Sequence, residues 1–209
     1  MNKKGFTLIE MIAVVVILGI VMIIAVPAVT SYIRGSDDSV YVNSMASYLQ
    51  EAKLLYSEKQ IGPYIGTNEI MVIPIGNIKL EKGNTDSSPY GKIIFSQSYI
   101  VVEKTEKSVR YYVSVIDKTG RGMVDKREDE LNNKAVNKTL RSMDVQVINA
   151  SYTCTSQTVN GETKVLPQLV TDSVFIFKGN NYKPVEYRIY PSEDYNCEKV
   201  YATIIYEKV

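Results

Sequence analysis

One stretch dominates the hydrophobic pattern of this chain. Residues Gly5 to Val29 read GFTLIEMIAVVVILGIVMIIAVPAV, and from Met11 to Val29 no side chain is charged or strongly polar. As a helix rising about 1.5 Å per residue, that run is roughly 28 Å long. With Phe6 to Ile9 it approaches the ~20 apolar residues that cross a bilayer core, where a helix pairs its own backbone groups. The pattern then changes. Val42, Met45, Leu49, Ala52 and Tyr56 recur at spacings of three and four, the apolar face of an amphipathic helix. Asp37, Asp38, Asn43, Glu51 and Lys53 fall elsewhere on the wheel and read as solvated surface. Gly62-Pro63 stops the pattern. One helix is predicted from about Phe6 to about Gln60, half in lipid and half packed on a domain, with Gly35 a candidate softer joint.

Beyond it the signal is mostly strand. Ile70 to Ile73, Ile78 to Leu80, Lys92 to Phe95, Tyr99 to Glu103 and Val109 to Ile116 are rich in Val, Ile and Tyr. Asp125 to Arg141 is charged and predicts a short surface helix plus loop. Asp144 to Ser151 alternates like a strand. Asn160-Gly161 between Thr153–Val159 and Thr163–Leu166 is a hairpin signal. Ser173 to Lys178, Val185 to Tyr190 and Lys199 to Tyr206 complete the set. The order predicts an α+β chain, one long helix and then mainly antiparallel strands.

Charge and composition refine this. Lys3 and Lys4 precede the apolar run and Arg34 follows it, which places the N-terminus in the cytoplasm and the bulk outside. A cleaved secretory signal would have a shorter apolar core and a small-residue cleavage site. The formal charge of +1 argues against a global basic face for nucleic acid. There is no histidine, so the commonest general base and metal ligand is missing. Asp117 to Gly122 (DKTGRG) lacks the alternating oxygens and closing Glu of a cation loop. No catalytic constellation, metal site or cofactor is expected. The 16 tyrosines suit half-buried sheet positions, and any exposed ones could serve adhesion. Cys154 and Cys197 are the only cysteines; in an exported domain they pair more often than not, the alternative being two reduced thiols.

Glu10 sits inside the apolar stretch, where a plain single-span anchor would do better with leucine. A charge at the bilayer centre costs at least ~2.5–3.5 kcal/mol on insertion scales, and such residues usually have a partner. KKGFTLIE followed by an unbroken apolar helix resembles the N-terminus of type IV prepilins and pseudopilins. The resemblance covers roughly the first 30–35 residues. It implies cleavage after Gly5 by a prepilin peptidase, N-methylation of Phe6 by the same enzyme, and a role in assembly for Glu10. It also places helix-loosening residues at Gly19 and Pro27, and many pilins staple their C-terminal region with a disulfide, as Cys154 and Cys197 would.

The expected layout is a leader over 1–5, a transmembrane and filament-core helix over 6–29, its amphipathic continuation over 30–62, and a β-rich extracytoplasmic domain over 63–209. Removing Lys3 and Lys4 with the leader takes the formal charge from +1 to −1. The implied role is a structural subunit, possibly minor, of a type IV pilus, first a single-pass precursor in the cytoplasmic membrane and then part of a surface filament. The implied partners are identical or related pilin subunits and an inner-membrane assembly platform, with nucleic acid only for a DNA-uptake pilus. The alternatives are a pseudopilin of a type II secretion or competence machine and a membrane-anchored module that never polymerises. An exported enzyme ranks last.

Overall fold

The computed structural model describes residues 7–80, 86–189, 195–197 and 200–209. Helix α1 runs unbroken from Leu8 to Ser57, 50 residues, about 75 Å at 1.5 Å per residue. Only its second half is covered. Tyr41, Val42, Met45, Tyr48, Leu49, Ala52, Leu55 and Tyr56 are buried against the sheet, at the three- and four-residue spacing of one helix face. The helix ends before Gly62-Pro63 because Lys59 takes a left-handed backbone (φ 58°). Gly62, at φ 104°, leaves no room for a Cβ, which would meet the Arg188 side chain at 2.8 Å.

Nine strands follow: β1 Glu69–Pro74, β2 Tyr99–Lys104, β3 Val109–Ile116, β4 Gly122–Arg127, β5 Tyr152–Val159, β6 Glu162–Leu169, β7 Phe175–Phe177, β8 Asn180–Arg188 and β9 Thr203–Lys208. Seven form one antiparallel sheet in the order β4-β3-β2-β1-β9-β8-β7, and β5-β6 pair separately. This is an α+β, type IV pilin-like architecture. Strand β1 is central because both its faces are buried. Met71 and Ile73 point to the helix side with Ile100, Val102, Val113, Val115 and Ile205. Ile70 and Val72 point the other way, with Tyr99, Val101, Tyr112, Ile204 and Tyr206.

The sheet curls around that second core. Phe177 of β7 meets Tyr112 of β3 edge-on at 5.1 Å, although four strands lie between them in the sheet order. Lys178 closes the curl, its ammonium 3.0 Å from Glu103 Oε2 and 3.8 Å over the Tyr112 ring. Both tight hairpins use successive left-handed residues, Asn160-Gly161 (φ 54° and 83°) and Lys178-Gly179 (φ 49° and 74°), which match the right-handed twist of the paired strands. Each rim is capped at one point. On β7 the Ile176 N–H donates to Gln146 Oε1 at 2.9 Å, and the Gln146 amide donates back to the Ile176 carbonyl. On β4, Gly122 exchanges both backbone bonds with Asn137.

Several local expectations are corrected. Ile78 to Leu80 is irregular chain after a 3-10 turn at Ile75–Asn77, and Lys92 to Phe95 makes only isolated bridges before a second turn at Phe95–Gln97. The charged stretch from Asp125 begins inside β4, where Asp125, Lys126 and Arg127 sit on a rim strand, and continues as short 3-10 turns rather than a helix. Asp144 to Ser151 is not a strand: 3-10 turns at Ser142–Asp144 and Ile148–Ser151 place Val145 and Ile148 on the second core. Buried Gln97 pins this segment, donating to the Val145 carbonyl at 2.6 Å.

Candidate functional site

The bare half of α1 is the most distinctive surface of the molecule. From Leu8 to Val29 its apolar side chains stand free, Leu8 at 80% and Ile9 at 75% exposure, with nothing of the domain against them. Among the described residues it is the one helix long and apolar enough to cross a membrane.

Glu10 lies in its first turn and is already engaged. Its Oε2 accepts from the Thr7 N–H at 2.7 Å and the Thr7 hydroxyl at 2.8 Å, while Thr7 Oγ1 accepts from the Glu10 N–H at 3.4 Å. This is a capping box, in which side chains satisfy two helix-end donors reciprocally. Thr7-Leu8-Ile9-Glu10 is the sequence pattern for such a box, so Thr7 was readable from the sequence and was missed. Oε1 carries no bond among the described residues. Gly5 and Phe6 lie outside the described residues.

Gly19 is unpacked, with nothing within 4 Å of where a Cβ would stand. Pro27 sits inside the helix without interrupting it. It has no N–H to give the Ile23 carbonyl, and one residue earlier the Val26 carbonyl takes an extra bond from the Thr30 hydroxyl at 2.8 Å.

The helix enters the domain through a polar clamp. Asp38, expected on the solvated face, is 6% exposed. Its Oδ1 accepts from the Tyr90 hydroxyl at 2.6 Å and its Oδ2 faces Lys138 Nζ at 3.3 Å. The Arg121 guanidinium lies 4.0 Å over the Tyr90 ring, and Tyr41 donates to the Arg121 carbonyl at 3.4 Å. Burial, with the charge of Asp117 nearby, pushes the Tyr41 phenol far above its ordinary range. The wheel could not place Asp38 because its partners come from loops 52 and 100 residues away. Asp117 in the DKTGRG turn spends one carboxylate oxygen on its own loop and the other on a second loop: Oδ1 accepts from Thr119 N at 2.8 Å and Arg121 N at 3.1 Å, and Oδ2 from the Ser88 hydroxyl at 2.7 Å.

Cys154 and Cys197 are bonded, Cα atoms 6.2 Å apart, tying β5 to the segment before β9. The Tyr195 hydroxyl lies 3.2 Å from Cys197 Sγ.

A family profile described as the prokaryotic N-terminal methylation motif matches residues 1–26. No curated protein and no solved structure matches the chain.

Proposed function

We propose that this chain, which carries the type IV prepilin signature over residues 1–26, is a filament subunit: cut after Gly5, N-methylated at Phe6 and assembled through α1. A prepilin peptidase that also methylates Phe6, copies of this or related subunits, and an inner-membrane platform are its partners. The precursor spans the membrane once with its N-terminus in the cytoplasm, and the assembled subunit is displayed outside.

The observation that carries this reading is the pairing of a fully bare apolar helix with an acid at its start. A bare helix of this length needs lipid or other helices around it. Cleavage would put a cationic amine at Phe6, one residue before the cap. Among the described residues Thr7 holds Oε2 and nothing bonds Oε1, so the carboxylate is oriented and would still be able to accept a neighbour's Phe6 amine. In low dielectric an unpaired charge is costly and a paired one much less so. Stagger between subunits would then be set by which amine reaches which carboxylate. Gly19 and Pro27 weaken the same helix where subunits leaving the bilayer must bend.

The test is Glu10→Ala in the native host. The processed chain, identified by intact mass as starting at methylated Phe6, should accumulate in the membrane and vanish from sheared surface material. Normal surface filaments from the variant would refute the role of Glu10, and a chain retaining Met1 to Gly5 in the membrane would refute the processing.

A further inference from the structure

Below the polar clamp a hollow of about 590 Å³ runs beside α1, where the bare half of the helix meets the domain. Pro27, Ser31, Arg34 and Asp38, spaced four, three and four, form its helical wall, with Val26 at the apolar end. Gly35 keeps that wall low, since nothing stands within 4 Å of where its Cβ would be. Lys138 closes the hollow from the domain side. The described charges lining it are Arg34, Lys138 and Asp38. Asp38 is 6% exposed, and Tyr90 and Lys138 engage its two oxygens. Lys138 is 55% exposed along its side chain and faces Asp38 with one of the three donors of an ammonium. The Arg34 side chain is exposed and has no hydrogen bond or ion pair among the described residues. Two cations and one anion leave one net positive charge, which suits a monoanion.

The depth of the hollow selects the anion. Val26 and Pro27 lie inside the apolar run that ends at Val29. Arg34 is five residues farther on, about 7.5 Å along the helix. Headgroups fill about 5–8 Å outside the hydrocarbon core on each side of a bilayer. The hollow therefore crosses that boundary, apolar at its lipid end and cationic at its water end. A phospholipid has the same gradient where its acyl chains meet glycerol and phosphate. A free anion would leave the apolar end unused, and an uncharged lipid would leave Arg34 unused. An arginine at this level can lay its stem along apolar surface and keep its guanidinium at the phosphates, whose oxygens it matches bidentately.

We propose that this hollow holds one anionic phospholipid of the outward-facing leaflet, its phosphodiester between Arg34 and Lys138 and its first acyl carbons against Val26 and Pro27. The inference rests on the membrane-spanning precursor proposed above. The test is native mass spectrometry of the full chain in non-ionic detergent, titrated with phosphatidylglycerol, with diacylglycerol, which lacks the phosphate, and with glycerophosphoglycerol, which lacks the acyl chains. Phosphatidylglycerol should bind at least about tenfold tighter than either. Arg34→Gln should weaken phosphatidylglycerol at least about tenfold with an unchanged thermal midpoint. Lys134→Gln, on the same loop as Lys138 but outside the hollow, should bind as the parent does. No binding of phosphatidylglycerol, equal binding of diacylglycerol or of glycerophosphoglycerol, or parental affinity in Arg34→Gln overturns the proposal. The assay needs no filament, so its outcome is separate from that of the Glu10 test. Failure of the membrane reading would show differently, as a full chain that stays soluble and monodisperse once detergent is removed, and would overturn both.

Discussion

Asp38→Ala is the sharpest probe of how α1 is held. The carboxylate is buried and accepts a 2.6 Å bond from Tyr90. A charge-assisted bond of this kind contributes about 1.5–3 kcal/mol. Lys138, whose side chain is 55% exposed and 3.3 Å away, adds less than about 1 kcal/mol after solvent screening. Truncation also leaves the Tyr90 hydroxyl with only the Arg34 carbonyl at 3.4 Å. The sum is a loss of about 2–3 kcal/mol for Asp38→Ala. Asp38→Asn, which keeps an acceptor, should lose about 1 kcal/mol. Tyr90→Phe should lose about 1–2 kcal/mol, with a coupling of at least about 1 kcal/mol in the double-mutant cycle. Urea unfolding of the full chain in non-ionic detergent, followed by tyrosine near-UV dichroism, measures all four species; the chain has no tryptophan to complicate the signal. If Asp38→Ala stays within about 0.5 kcal/mol of the parent, or the two single losses simply add, the clamp does not hold the helix.

Three further outcomes are expected. Burial holds the Asp125 carboxyl above the ordinary range, partly offset by the Ser114 hydroxyl and the charges of Lys178 and Lys126. The folded chain therefore keeps that proton longer than the unfolded one, and stability is lost as pH rises from about 3.9 through the folded pKa. Asp125→Asn tolerates the φ of 50°, so its stability relative to the parent should grow between acid and neutral pH; a constant difference would contradict the assignment. Cys154→Ser should cost up to roughly 4 kcal/mol in the chain-entropy view, with dithiothreitol shifting the parent's unfolding midpoint similarly and leaving the variant unmoved. Gly122→Ala places a Cβ 2.0 Å from the Val115 carbonyl oxygen and should cost about 3 kcal/mol, whereas Gly35→Ala meets nothing within 4 Å and should gain about 0.5–1 kcal/mol of unfolding free energy.

The parts of this fold that were legible in the sequence are those with a local cause. The period of three and four marked the packed face of α1, and Val42, Met45, Leu49, Ala52 and Tyr56 are all buried. Asn160-Gly161 marked its hairpin because only a few residues accept φ above zero twice in succession. Errors fell where partners are distant. Strand β4 reads as a charged loop because a rim strand with bent pairing tolerates Asp, Lys and Arg. Asp144 to Ser151 alternates like a strand, yet its apolar residues serve as a lid over the curled sheet. Asp38 looked like surface until Tyr90 and Lys138 arrived from elsewhere in the chain. For the candidate site, the placement of Glu10 in the helix's first turn was readable. Its bonds to Thr7 were present as a spacing and were overlooked.

The capped points on the sheet rims bear on how such subunits would stand together. In a filament each domain would face its neighbours at effective concentrations in the ~mM range, where an open strand edge templates fusion of one sheet with the next. Here the backbone of Ile176 is occupied by Gln146, and Gly122 by Asn137. At those two points a neighbouring domain would meet side chains rather than free backbone. If such domains do stand side by side in a filament, these two points of the sheet offer no free backbone for pairing one sheet with the next.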